Sequence, residues 1–174
     1  MMRLIAFLIS LAVCLAGCSQ TPEDKAVSAI LNLGGRVTRD EELPGRPVAG
    51  IDLMGTKVTD SDLKDLKNLK GLRGLGLRGT KIMDAGLKDL KELTGLQQFD
   101  LAFTKITDSG LKELKELNGL TWLNLRGTKI TDAGLKDLRE LKGLQLLWLG
   151  SVQMTDAGLK DLKEALANTH IECP

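Results

Sequence analysis

Residues 120–143 read LTWLNLRGTKITDAGLKDLRELKG, and the pattern of this segment recurs along most of the chain. In every copy an aspartate precedes a leucine-rich run, and successive aspartates are separated by 24 residues; they are Asp60, Asp84, Asp108, Asp132 and Asp156. A constant period of this length indicates stacked supersecondary units, because one such unit cannot bury its apolar face alone. The repeat therefore predicts a solenoid.

Each repeat combines two apolar periods. Leu123 and Leu125 are separated by one residue, an alternation that is typical of a short strand with one buried face. After the aspartate, Leu135, Leu138 and Leu141 follow at intervals of three residues, which places them on one face of a helix. We therefore predict a right-handed α/β solenoid with parallel strands on the concave face and short helices on the convex face.

The predicted solenoid occupies residues 48–174, as five 24-residue repeats and a terminal strand around Ile171. Ahead of it, Thr21 and the proline that follows are typical of the start of a helix. Residues 36–47 are expected to form a turn-rich connection. Because the open end of a solenoid has to be covered, we predict that residues 18–47 form a helical N-terminal cap.

Polar and small residues at the element boundaries have structural interpretations. The repeated aspartates are expected to cap the helices, where they would accept hydrogen bonds from free backbone N–H groups. A second set of residues is expected to end the helices as left-handed glycines, namely Gly71, Gly95, Gly119 and Gly143. A third set is interpreted as easing close packing at the helix start, namely Gly86, Gly110, Gly134 and Gly158. The alternative is that the aspartates ligate calcium. Calcium-binding repeats carry a glycine-rich nonapeptide that this chain lacks, so no metal site is expected.

Residues 128–135, TKITDAGL, resemble the ITDxGL signature of leucine-rich repeats of the cysteine-containing, ribonuclease-inhibitor-like type. The resemblance extends from Val48 to Cys173 and implies a leucine-rich-repeat fold. Where that family has Cys or Asn after the strand, this chain has a hydroxyl that can bond neighbouring backbone at Thr56, Thr80, Thr104 and Thr128, but valine at Val152. Members of the family include F-box substrate receptors of ubiquitin ligases. No F-box-like segment fits before Val48, so that role is not implied.

The first 18 residues differ from the rest of the chain. A positively charged start, an apolar stretch and a small-residue region are typical of an export signal. Residues 15–18, LAGC, resemble the bacterial lipobox, which implies removal of residues 1–17 as a signal peptide and a palmitate-type lipid anchor on Cys18. Cysteine usage agrees with a lipid anchor on Cys18. Because Cys14 would be removed with the signal peptide and Cys18 would be lipidated, Cys173 has no disulfide partner. We predict a lipoprotein at the cell envelope, facing the periplasm or exterior; the alternative is an ordinary secretory leader.

Composition and charge narrow the classes of function. Lysine and arginine total 24 against 23 acidic residues, so the chain is nearly neutral and shows no basic stripe of the kind that nucleic-acid binders carry. His170 is the one histidine, there is no tyrosine, and neither a phosphate-binding glycine loop nor a nucleophile elbow occurs. We therefore expect no nucleic-acid partner, no catalytic residues and no cofactor.

The concave strand face carries the candidate binding residues. Because alternate strand residues point inward, both tryptophans of the chain fall on the outward face of adjacent repeats, beside Leu146. We expect the two indoles and Leu146 to touch, with Arg126 over the Trp148 ring as a cation–π contact. The predicted partner-binding site comprises Trp122, Leu146, Trp148, Asn124, Arg126, Asp100 and Arg78.

These features predict a monomeric, membrane-anchored module that recognises a protein or peptide through its concave face. Outward tryptophans leave apolar area in water unless something covers them, and tryptophan and arginine are enriched in binding hot spots. Three alternatives stay open. In the first, the C-terminal segment covers the tryptophans as cap packing. In the second, the solenoid is a structural spacer of the envelope, and in the third the chain is an accessory subunit of an enzyme complex.

Overall fold

The computed structural model describes residues 21–173, so the predicted signal peptide and Cys18 lie outside the described residues. Its strands are β1 Arg36–Arg39, β2 Val48–Asp52, β3 Gly74–Gly76, β4 Gln98–Asp100, β5 Trp122–Asn124, β6 Leu146–Trp148 and β7 His170–Glu172. Its α-helices are α1 Pro22–Asn32, α2 Asp84–Leu87, α3 Asp108–Leu114, α4 Asp132–Leu138 and α5 Asp156–Ala165. Two 3₁₀ helices occupy Asp60–Asn68 and Lys88–Leu90.

The strands form a single sheet in the order β1 to β7. From β2 to β7 neighbouring strands are parallel, and equivalent residues of successive repeats lie opposite each other, as Phe99, Leu123 and Leu147 do. This constant register stacks every inward side chain on its counterpart one repeat later. The predicted α/β solenoid with parallel strands and short helices is confirmed.

A continuous apolar core lies between the sheet and the helices. Leu123 and Leu125 are 0% exposed, as is Leu138 on the helix side, and Leu135 is 2% exposed. The same cluster runs from Ala26 in the cap to the last repeat. The inward positions predicted from the alternation are confirmed.

The convex segments change in character along the chain. The first repeat forms a 3₁₀ helix, the second starts as one α-helical turn and continues as 3₁₀, and later repeats form α-helices. The three-residue spacing of the leucines, which these repeats share, is compatible with both types, because it fits the three residues per turn of a 3₁₀ helix as well as one face of a short α-helix. The prediction of a helix in every repeat is confirmed, while its type varies.

The N-terminal cap contains a strand that the sequence interpretation missed. Helix α1 begins as predicted, because the Thr21 hydroxyl accepts from the Asp24 N–H at 3.1 Å and the Asp24 carboxylate accepts from the Thr21 N–H at 3.1 Å. The segment 36–47, however, starts with β1, which pairs antiparallel with β2 and places Thr38 opposite Gly50. The expected connection is therefore partly an edge strand that extends the concave sheet.

The repeated aspartates do not supply the caps, and within residues 21–173 all of them except Asp156 bond the next repeat. Asp108 accepts from the Thr131 N–H at 2.8 Å and from the Thr131 hydroxyl at 2.6 Å, one repeat later. The helix caps come from the threonines themselves, as when the Thr131 oxygen accepts from the Ala133 N–H at 3.3 Å. Equivalent paired bonds join Asp84 to Thr107 and Asp132 to Thr155. The bonds from Thr155 hold the pKa of the Asp132 carboxyl below its ordinary value. The cap prediction was wrong, although the aspartates do lie in the positive first turn.

The glycines after the aspartates leave room for these bonds. A Cβ on Gly86 would lie 2.7 Å from the Asp60 carboxylate oxygen, and one on Gly134 would collide with the Asp108 carboxylate. The first repeat has Asp62 at this position, and the residue 26 positions earlier, where the other repeats have the facing aspartate, is Arg36. The close packing predicted for these glycines is confirmed. Its cause is the aspartate of the preceding repeat, whose carboxylate occupies the space that a Cβ would need.

The glycines before the strands are not left-handed. Positive φ angles occur instead in the turn after each strand, at Gly55, Gly79, Phe103, Gly127 and Ser151. Gly119 is required for close approach, because a Cβ there would lie 2.7 Å from the Thr94 carbonyl oxygen. The predicted left-handed helix ends were therefore wrong, and close approach to the preceding repeat explains Gly119.

The threonine column that departs from the family pattern is buried and bonded within each repeat. The Thr128 hydroxyl donates to the Leu125 carbonyl at 2.6 Å, and Thr80 and Thr104 make the equivalent bond at 2.6 Å. Thr56 does so at 2.8 Å. The predicted hydroxyl-to-backbone bond is confirmed, and it closes the turn that follows each strand.

Candidate partner-binding surface

The two tryptophans lie side by side on the concave face. Trp122 is opposite Leu146 in the register, and Trp148 is two residues further along the same strand as Leu146. The indole centroids of Trp122 and Trp148 are 5.4 Å apart at an interplanar angle of 66°, an edge-to-face contact. All three side chains are half-buried. The predicted contact between the two indoles is confirmed.

Arg126 covers the outer side of this pair. Its guanidinium carbon lies 4.4 Å from the centroid of the Trp148 ring, which confirms the predicted cation–π contact. A terminal nitrogen of Arg126 also lies 3.4 Å from the Glu172 carboxylate on β7. The terminal strand is therefore linked to the tryptophan pair through Arg126. The Arg126 guanidinium makes both of these contacts within the chain.

Asn124 corrects the sequence interpretation of this surface. It occupies an outward strand position, as predicted, yet it is 0% exposed. Its short amide stands opposite the much larger Trp148 on the next strand, so the neighbouring side chain covers it. Asn124 therefore does not contribute an exposed polar group to the rim of the patch.

Three buried donors around the pair have no acceptor among residues 21–173. They are the Asn124 side-chain amide, the Arg126 Nε–H and the Trp148 indole N–H. Nearly all buried polar groups in folded proteins are bonded, and each unpaired group costs about 1–3 kcal/mol. The Arg139 Nε–H at the end of α4 is a fourth donor of this kind, so such donors are not confined to the tryptophan pair.

Arg78 belongs to a second exposed feature, which the sequence interpretation missed. Its guanidinium carbon lies 5.1 Å from the centroid of the Phe103 ring, and Phe103 is 53% exposed. Phe103 has a φ of 55°, in the left-handed region that costs a non-glycine residue about 1–2 kcal/mol. The sequence did contain a signal for this feature, because Phe103 occupies the repeat position that holds glycine at Gly55, Gly79 and Gly127.

A groove lies on the N-terminal side of Trp122, and we call it the glycine groove. It encloses about 260 Å³, and its lining residues are Thr38, Gly50, Ile51, Asp52, Gly74, Leu75, Gly76, Gln98, Asp100 and Trp122. The concave position that holds a large side chain in β5 and β6 holds glycine in β2 and β3, which makes the hollow. Trp122 is therefore a wall of this groove as well as a member of the indole pair, and Asp100 lines the groove.

The described residues contain neither a metal-ligand cluster nor a membrane-spanning helix. Across residues 21–173, no three histidine, cysteine or acidic side chains are placed to hold a metal ion together. Over the same residues, no helix is both long and apolar enough to cross a bilayer. Cys173 is half-buried beside the last strand, and burial raises the pKa of its thiol.

Comparison with known proteins agrees with the repeat type. A family model described as Leucine Rich repeat matches residues 94–115 and 120–138. The comparison with curated proteins gave no match. The fold is thus a leucine-rich-repeat solenoid, a class whose members commonly bind other proteins.

Two solved structures are similar to part of this chain. The crystal structure titled PEPR1-AtPEP1 is 20% identical with a TM-score of 0.47, over 74% of this chain and 18% of that one. A leucine-rich-repeat protein of Leptospira interrogans is 24% identical with a TM-score of 0.46, over 63% of this chain and 33% of that one. The chain thus spans a third or less of the length of either protein.

Proposed function

We propose that this chain is a non-catalytic, monomeric protein-binding module at the bacterial cell envelope, which recognises a protein or peptide through its concave strand face. The observation that carries the proposal is the continuous surface formed by the Trp122–Trp148 pair and the glycine groove that Trp122 walls. Large aromatic side chains beside a hollow are typical of binding hot spots. A structural spacer has no need of either feature.

Cap packing is the second candidate for the tryptophan pair. The contact of Arg126 with both Trp148 and Glu172 favours it, because β7 is thereby joined to the pair. The hollow that Trp122 also walls favours a binding role, because cap packing does not require it. Replacement of the tryptophans distinguishes the two candidates.

We expect the double variant Trp122→Ala, Trp148→Ala to lose its partners in a crosslinking experiment on intact membranes. Removal of a hot-spot tryptophan typically weakens binding by about 2 kcal/mol or more, roughly 30-fold. The thermal midpoint should fall only slightly, because both side chains are half-buried and their edge-to-face contact is worth about 0.5–1.5 kcal/mol.

Met83→Ala is the matched control for this experiment, since Met83 is 51% exposed at the start of α2 and not on the strand face. It should retain every wild-type partner. If the double variant melts far below the wild type, or still captures all partners, the tryptophans serve as cap packing and the structural candidate takes precedence.

The envelope location rests on the lipobox-like residues 15–18. We expect Cys18→Ala to abolish incorporation of a fatty-acid analogue in metabolic labelling and to release or misprocess the protein. Cys173→Ala, which removes the thiol of the last described strand region and leaves residues 15–18 unchanged, should label as the wild type does. Equal labelling of the Cys18→Ala variant and the wild type would refute the lipid anchor.

A further inference from the structure

The glycine groove has a shape that suits an extended chain segment. It runs across β2, β3, β4 and β5, and neighbouring strands are about 4.8 Å apart, so it is about 14 Å long. An extended polypeptide rises about 3.3 Å per residue, so about four residues cross it. Gly74 forms part of its floor, and nothing lies within 4 Å of the point where a Cβ would be. The Trp122 wall and Thr38 on β1 close its two ends.

The groove is acidic although the chain as a whole is nearly neutral. Its charged lining residues are Asp52 and Asp100, and no lysine, arginine or histidine lines it. Within residues 21–173 the Asp100 carboxylate has no cationic side chain within ion-pair distance. Asp52 has only Arg36, at 3.5 Å, and the Arg36 side chain is 80% exposed. The groove therefore complements a positive charge.

Two further arginines near the groove, Arg78 and Arg126, form no ion pair with its carboxylates, and each stacks on an aromatic ring. Arg78 lies over Phe103, and Arg126 lies over Trp148 and pairs with Glu172. The Asp100 carboxylate is also held in place, because its Oδ1 accepts from the Ala102 N–H at 2.9 Å. Its second oxygen makes no hydrogen bond within the described residues. A fixed carboxylate is therefore available for a ligand.

We propose that the glycine groove binds an extended peptide segment of a partner protein through a lysine or arginine side chain, which pairs with Asp100 and packs against the Trp122 indole. Trp122 is diagonal to Asp100 on the adjacent strand, a separation of about 7–8 Å, so one long cationic side chain reaches both. A cation beside an indole and a carboxylate gains from both interactions. This proposal rests on the proposed function and adds the chemistry of the recognised segment.

The two tryptophans allow a direct test, because they are the only ones in the chain and one of them walls the groove. The probes are four end-capped pentapeptides, Gly-Gly-X-Gly-Gly, with lysine, arginine, glutamine or glutamate at X. They are titrated into the full-length protein while indole fluorescence is recorded. We expect saturable binding of the lysine or arginine peptide at least tenfold tighter than that of the glutamine peptide, with weakening by salt. The glutamate peptide should bind least.

The variant Asp100→Asn tests the residue that sets the preference. Its fold should survive, because Asn124 occupies the equivalent position one repeat later and its Oδ1 accepts from the Arg126 N–H in the same kind of turn, at 3.2 Å. We expect the variant to lose at least fivefold in affinity for the cationic peptide and to bind the glutamine peptide as before. Asp65→Asn makes the same charge change on the convex side and should bind as the wild type does.

Equal affinity for the glutamine and cationic peptides, absence of any saturable fluorescence change, or an Asp100→Asn variant with unchanged preference would overturn the proposal. These outcomes are distinguishable from failure of the proposed function. If crosslinking captures partners that depend on the tryptophans while the cationic peptides do not bind, the module binds proteins but does not select a basic segment through this groove.

Discussion

Leu123→Asp is expected to unfold the repeat domain. Leu123 is 0% exposed and stacks between Phe99 and Leu147 of the adjacent strands. Its removal alone costs about 2–5 kcal/mol, and the new carboxylate is buried without a partner, which adds several kcal/mol. Because whole domains are stable by only about 5–15 kcal/mol, the loss should abolish the cooperative transition in a urea melt followed by circular dichroism.

Gln98→Asp is the control for this substitution. Gln98 is exposed on the concave face of β4, so the same charge is introduced into the sheet without burial. Its stability should change by no more than about 0.5 kcal/mol, as for ordinary surface substitutions. Similar losses for the two variants would show that the inward and outward strand positions have been exchanged.

The Asp108–Thr131 bonds predict a large and non-additive pair of effects. Asp108→Ala removes two bonds to a carboxylate, each worth about 1.5–3 kcal/mol, and should lower the free energy of unfolding by about 3 kcal/mol or more. Gly134→Ala should also destabilise, although alanine normally stabilises a helix over glycine by about 1 kcal/mol. The reason is that the new Cβ would collide with the Asp108 carboxylate.

The double variant Asp108→Ala, Gly134→Ala should be more stable than the sum of the single losses by about 1 kcal/mol or more, since the collision disappears with the carboxylate. Asp156→Ala is the matched control. Asp156 begins α5 in the same way, but its side chain makes no such bond to residues 21–173, so less than about 1 kcal/mol should be lost. Additive effects in the cycle would contradict the role assigned to Gly134.

The candidate site could be predicted in part, because strand alternation tells which residues share a face. It placed Trp122 beside Leu146 and Trp148, and it placed Arg126 within reach of the indole, as the structure shows. It could not predict that Asn124 is buried, because burial depends on the size of the neighbouring side chain. It also missed Phe103, whose left-handed conformation follows from the turn that all repeats share.

The sequence by itself determined the period of the solenoid, the parallel strands, the inward leucines and the cap helix at Thr21. These features depend on patterns within one repeat, where the geometry of a strand or helix fixes which side chains are buried. Only the tertiary structure decided that Asp108 bonds Thr131, that β1 extends the sheet, and that glycines in β2 and β3 create an acidic groove. These features depend on the distance and register between adjacent repeats, which arise only when the repeats stack.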